Sequence, residues 1–99
     1  MSEITKDGSS VTIKPAHDIV ASGVNELKAE LKGILEGGLS KLIVDFSETT
    51  MIDSMGIGIL IAAYNSLKKR NTPMELTNVS AEISSLLKNM RLNQYFNIS

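Results

Sequence analysis

The chain has 99 residues, a formal net charge of −1, one histidine and no cysteine. That length makes one domain able to bury a core without help from a metal or disulfide. Disulfides, zinc–thiolate sites and thiol catalysis are excluded by composition, and a near-neutral charge recommends no polyanion partner.

The first ten residues, MSEITKDGSS, have neither the basic nor the apolar region of a secretory leader. The longest apolar run, Ile59 to Tyr64, is far short of the ~20 residues a membrane span needs. The expectation is a soluble, cytoplasmic protein.

Ile4–Lys6 and Val11–Ile13 have the character of short strands, with Asp7-Gly8 as a hairpin signal between them. Pro15 and Asp18 mark a loop. Val24, Leu27, Leu31, Ile34 and Leu35 recur at helical spacing, so Ser22–Glu36 reads as a helix with Ser22 as its N-cap. Gly37-Gly38 ends it, as a left-handed cap. Lys41–Phe46 is a strand, and the consecutive Leu42-Ile43-Val44 suits one covered on both faces.

Ser47–Met51 is a loop. Ile57, Leu60, Ile61, Tyr64 and Leu67 then define a helix over Ser54–Lys69, whose last turn gathers Lys68, Lys69 and Arg70 at the negative end of the dipole. After Pro73, Met74–Val79 is a strand. Ser80 caps a helix beginning at Glu82 or Ile83, with Ile83, Leu86, Leu87 and Met90 as its buried stripe. Tyr95, Phe96 and Ile98 close the chain as a short strand or packed turn. Alternating strands and helices predict a mostly parallel sheet covered by helices, with sites where strand ends feed helix starts.

Asp53-Ser54 stands at such a junction. The first N–H groups of a helix lack intrahelical partners, and either Asp53 or Ser54 can cap them. The same end of the helix favours a phosphate. Gly56 and Gly58 remove side-chain bulk from the helix start, at a cost of ~1 kcal/mol each in a helix interior. Two such glycines suggest a close approach to the backbone.

Other chemistries fit poorly. Ser54 as a nucleophile needs a base, and only His17 is available, without a G-x-S-x-G elbow. Gly56-Ile57-Gly58 is a fragment of a dinucleotide fingerprint whose third glycine is replaced by Ile61. One histidine and no cysteine argue against a transition-metal site. Asp45 reads as a structural strand-end carboxylate. Met51, Met55, Met74 and Met90 read mostly as core filler, with Met51 and Met55 as an alternative contact surface near Ser54.

The run Asp45-Phe46-Ser47, followed by Met51-Ile52-Asp53-Ser54-Met55-Gly56-Ile57-Gly58-Ile59-Leu60, resembles the signature of STAS domains of the anti-sigma factor antagonist family. Asp18-Ile19-Val20-Ala21-Ser22 resembles that family's loop before the first helix, and the likeness covers nearly the whole chain. It implies an α/β STAS fold over residues 1–99, with a four- to five-stranded mixed, mostly parallel sheet and three main helices.

It also implies a binding module, not an enzyme, needing neither cofactor nor metal and contacting neither nucleic acid nor membrane. Ser54 matches the family's phosphorylated serine. Asp18, Asp53, Ser54, Met55, Gly56 and Ile57 are then the partner-binding residues. The implied partners are a serine kinase that doubles as an anti-sigma factor, and a serine phosphatase that resets the switch. Family members usually carry Ser or Thr where this chain has Met55, so Ser54 is the sole hydroxyl within the short motif. The alternative is the same switch with a chemotaxis, secretion, biofilm or stressosome-like output.

Overall fold

The computed structural model describes residues 2–98. Their elements are β1 (Glu3–Asp7), β2 (Ser10–Lys14), α1 (Val24–Glu36), β3 (Lys41–Asp45), α2 (Ser54–Lys68), β4 (Met74–Thr77), α3 (Ala81–Asn89), a 3-10 turn (Leu92–Gln94) and β5 (Asn97–Ile98). Both sequence alternatives for the carboxyl-terminal segment are realised, as a packed turn followed by a strand.

The five strands form one sheet in the order β1-β2-β3-β4-β5. β1 and β2 are an antiparallel hairpin, and every later neighbour is parallel. Gly8 makes the hairpin turn with φ +62°, a conformation that costs glycine little. This is the mixed, mostly parallel sheet with three main helices that the sequence predicts.

The sheet is not covered on both faces. Val11, Ile13, Leu42, Val44, Met74 and Leu76 are buried, while the intervening Thr12, Lys41, Ile43, Asp45, Glu75 and Thr77 are half-buried. The register aligns these two sets across β2, β3 and β4, so one face is core and the other is polar. On the polar face Lys41 and Glu75 pair at 3.1 Å. Connectivity explains the asymmetry. Right-handed crossovers that step always to the next strand in one direction keep their helices on one side. Covering both faces requires a reversal of strand order, and this sheet has none. Ile43 is therefore a strand residue of the outer face, and the consecutive Leu42-Ile43-Val44 was a misleading signal.

Helix ends differ from expectation in instructive ways. The N-cap of α1 is Gly23 instead of Ser22, with no side-chain cap bond. Gly37 ends α1 in an extended conformation, φ −84°, instead of a left-handed one. α2 ends with Thr72 donating to the Leu67 carbonyl and with Asn71 at φ 55°, a left-handed stop before Pro73. Ser80 does cap α3, its hydroxyl accepting from the N–H of Ile83 at 3.2 Å.

In α3 only Ile83 and Leu87 are buried, while Leu86 and Met90 face out. A nine-residue helix on one edge of the core buries a narrower stripe than the four-residue pattern suggested. Met74 is the one expected methionine filler that is buried; Met51, Met55 and Met90 are exposed. Tyr64 packs on Tyr95 and Phe96 at centroid distances of 5.4 and 5.6 Å.

Candidate functional site

The sheet places two loops side by side at the carboxyl ends of β2 and β3: residues 15–23, which lead into α1, and 46–53, which lead into α2. They are fastened by a short parallel bridge, Ile19 to Ile52. The Ile19 N–H donates to the Met51 carbonyl at 3.1 Å, and the Asp53 N–H donates to the Ile19 carbonyl at 3.2 Å.

A carboxylate reinforces each end of this bridge. Asp18 Oδ1 accepts from the Thr50 N–H at 2.8 Å, the Thr50 hydroxyl at 3.1 Å and the Met51 N–H at 3.1 Å. Asp53 Oδ1 accepts from the Gly56 N–H at 3.0 Å, which makes Asp53 the N-cap of α2, and Oδ2 accepts from the Ala21 N–H at 3.0 Å. Of the two residues that could have capped α2, Asp53 does so. Below the bridge, buried Thr49 donates its hydroxyl to the His17 carbonyl at 3.2 Å.

These bonds fix the charge state of the site. The Thr50 N–H, followed by the hydroxyl of Thr50 and the N–H of Met51, holds the Asp18 carboxyl below its ordinary pKa against some desolvation. The N–H groups of Gly56 and then Ala21 do the same for Asp53. For Asp45 burial pushes upward, but the Asn78 amide and the Ser47 N–H prevail and lower it. The carboxylates are thus anionic at neutral pH and committed to N–H donors.

With its cap supplied by Asp53, Ser54 occupies the first helical position and is exposed. Its hydroxyl has no hydrogen bond among the described residues. Met51 and Met55 flank it, 60% and 55% exposed, and these are the two largest exposures among the apolar side chains of the surface. Met55 shares the lining of one groove with the serine, and Met51 stands three residues before it in the chain.

The other residues expected to contact a partner are distributed differently. Ile57 is buried in the core, and Gly56 is buried beneath Ile19. Neither offers a surface. The close approach suggested by the paired glycines is, at Gly56, made by the chain itself. Gly58 is exposed, with open space where a β-carbon would stand. Asp18 and Asp53 hold the loops and make no hydrogen bond to the Ser54 hydroxyl. Ile19, Ala21, Thr49 and Thr50 complete the fastening, and neither composition nor periodicity assigns them that role. The mirrored dipeptides Asp18-Ile19 and Ile52-Asp53 were the available signal.

From Ser54 a groove of about 600 Å3 runs between α1 and α2. Leu31, Leu35, Met55, Ile59 and Ala62 line it, and the exposed cations Lys28, Lys32 and Arg70 border it. Among the described residues no group of His, Asp and Glu side chains could hold a metal ion, and no helix is long and apolar enough to cross a membrane.

The STAS domain family profile matches residues 2–99. Solved structures give the same fold at low identity. A Thermotoga maritima protein superimposes with a TM-score of 0.92 at 16% identity, over 98% of this chain and 84% of its own. An anti-sigma factor antagonist from Mycobacterium paratuberculosis gives 0.88 at 15%, over 99% and 83%. The Bacillus protein SpoIIAA gives 0.78 at 16% in its phosphorylated form, over 100% and 91%, and 0.74 at 17% in its unphosphorylated form, over 89% and 82%. With the profile spanning nearly the whole chain and the sheet, helices and loop arrangement to match, the chain belongs to the STAS domain family.

Proposed function

We propose that this protein is an anti-sigma factor antagonist, a binding module switched by phosphorylation of Ser54. Unphosphorylated, it binds a serine kinase that doubles as an anti-sigma factor and thereby frees a sigma factor. Phosphorylation ends that binding, and a serine phosphatase restores it. The setting is the cytoplasm, and the domain performs no chemistry of its own.

The observation that carries this reading is the Ser54 hydroxyl, exposed and unbonded at the first position of α2, with Met51 and Met55 exposed before and after it in the chain. The neighbours agree, since SpoIIAA is an anti-sigma factor antagonist with a phosphorylated and an unphosphorylated form. Physically, phosphorylation adds a charge of about −1.5 to −2. The unpaired N–H groups and dipole of the helix start tolerate it locally. A partner surface packed against a neutral serine and two methionines does not, because it must desolvate a dianion without a counter-charge. A loss of ~3 kcal/mol in binding is already more than a hundredfold in affinity.

Mass spectrometry of protein from its native host should find phosphate on Ser54. Ser54→Ala should bind the serine kinase captured from the native host like the unmodified protein but take no phosphate from it, and Ser54→Asp should bind at least a hundredfold more weakly. Equal affinity of wild type and Ser54→Asp would sink the proposal. Capture of a kinase whose other ligand is not a sigma factor would keep the switch and change its output.

A further inference from the structure

We propose that the groove between α1 and α2 is a docking trough for an amphipathic helix with acidic flanks, supplied by a protein partner, and that Ser54 sits at its mouth as the gate. The docking half stands on the groove alone. The gating half rests on the reading of Ser54 given above.

Shape and apolarity come first. The groove is lined by Leu31 and Leu35 on the α1 side and by Met55, Ile59 and Ala62 on the α2 side. It follows α2, whose fifteen residues span about 22 Å at ~1.5 Å per residue. A helix of four turns has that length, and laying its apolar face into such a trough is a common mode of peptide recognition. Gly58 and Ala62 keep the α2 wall low; the fold itself does not require a glycine at 58, where a β-carbon would meet nothing.

Charge selects the occupant. Lys28, Lys32, Arg70 and Glu36 are the charged residues of the lining, three cations against one carboxylate, on a chain whose formal net charge is −1. Lys28 and Lys32 lie one turn apart on α1, are exposed, and make no ion pair among the described residues. Arg70, at the far end, donates to the Gly37 carbonyl at 3.3 Å and so bridges the two helix ends. A positive border over an apolar floor complements apolar residues flanked by Glu or Asp, and repels a basic helix. Continuity supplies the gate, because Ser54 belongs to the same lining. A phosphate there adds negative charge at the mouth of the trough and competes for its lysines, so an acidic helix is expelled on both counts.

The test uses the full chain and two fluorescein-labelled sixteen-residue peptides. Both carry Leu at helical spacing; one is flanked by Glu, the other by Lys. Fluorescence anisotropy at low salt should show the Glu peptide binding at least tenfold more tightly, with the preference shrinking as salt rises. Amide chemical shifts should move at Leu31, Leu35, Ile59 and Ala62. Lys28→Glu with Lys32→Glu should invert the preference, and circular dichroism of that variant verifies that these exposed changes leave it folded.

Equal binding of both peptides, or none, would overturn the docking proposal. Binding of dodecanoate to the groove with no binding of either peptide would overturn it in favour of a lipid, and a dimer abolished by the double lysine variant in favour of a second copy. Ser54→Asp should weaken the Glu peptide at least fivefold. If it does not, the gate is overturned while the trough stands. If phosphate is never found on Ser54 but the Glu peptide still binds, the Ser54 reading fails alone.

Discussion

Gly56 packs directly beneath Ile19. A β-carbon at position 56 would collide with the Ile19 carbonyl oxygen and lie 2.6 Å from Ile19 Cγ2 and 2.9 Å from Ile52 Cγ1. Those are the residues of the bridge that fastens the two loops, so the first turn of α2 is seated on the fastening itself. Ser54, two residues earlier in the same turn, is held by this contact as well as by the Asp53 cap. Gly58, two residues on, meets nothing.

The two glycines therefore predict opposite outcomes. Gly56→Ala gains up to ~1 kcal/mol of helix propensity but forces an overlap with backbone, which costs about 1–3 kcal/mol. With the overlap falling on a backbone oxygen, the net expectation is a destabilisation of up to about 2 kcal/mol, with loss of the Ile19–Ile52 bridge in amide exchange. Gly58→Ala has no opposing contact and should stabilise the domain by about 0.5–1 kcal/mol. Urea unfolding of both variants, with matched m values, decides it; two changes of the same sign would show that the Gly56 contact does not constrain the helix.

The sheet offers a second contrast, between neighbours in one strand. Leu42 is fully buried and Ile43 is half-buried on the polar face. Leu42→Ala should cost about 2–5 kcal/mol, the range for emptying a core site. Ile43→Ala should cost less than half as much, because its side chain already meets water on the open face. Comparable losses would mean that the outer face of β3 is covered.

Much of this architecture was legible in the sequence because it is local. Helical spacing located α1 and α2, Asp7-Gly8 located the hairpin, and Ser80 located the start of α3. What failed was the burial of Ile43, because the layer a strand residue meets depends on strand order, and of Leu86 and Met90, because the short α3 buries only a narrow stripe. The motif also pointed to Ser54 without showing how it is held. Bonds from Asp18 to Thr50 and from Asp53 to Ala21 join loops about thirty residues apart, and no period in the chain announces them. Gly56 and Gly58 look alike as letters; only the arrival of Ile19 distinguishes them.

The fastening makes stability depend on acid in a defined direction. Asp18 and Asp53 both have pKa values lowered in the folded state by the N–H groups they accept from. The unfolded chain then takes up protons first as pH falls, so stability drops with falling pH. Their contribution is fully present above the ordinary aspartate pKa near 3.9 and is lost as pH falls through the lower folded-state values. Urea midpoints measured from pH 7 down to pH 2 should decline most steeply below about pH 4. Asp18→Asn and Asp53→Asn should each lower the midpoint at pH 7 and flatten the decline. A wild-type slope retained in both variants would assign the acid sensitivity to other carboxylates.

The switch itself predicts stability without binding. Ser54 is exposed, its hydroxyl is unbonded among the described residues, and the cap of α2 belongs to Asp53. Nothing in the fold is lost when Ser54 changes. Its new charge lies beside the anionic Asp53, a modest repulsion, but also at the positive end of α2, a comparable attraction. Ser54→Asp, Ser54→Ala and the phosphorylated protein should therefore unfold within about 0.5 kcal/mol of the wild type, as surface substitutions do. Their amide exchange should match the wild type outside the first turn of α2. If phosphorylation instead releases the protection of Ile19 or Met51, the charge acts by opening the Asp18–Asp53 fastening, and the partner is lost through a change of shape instead of repulsion at a fixed surface.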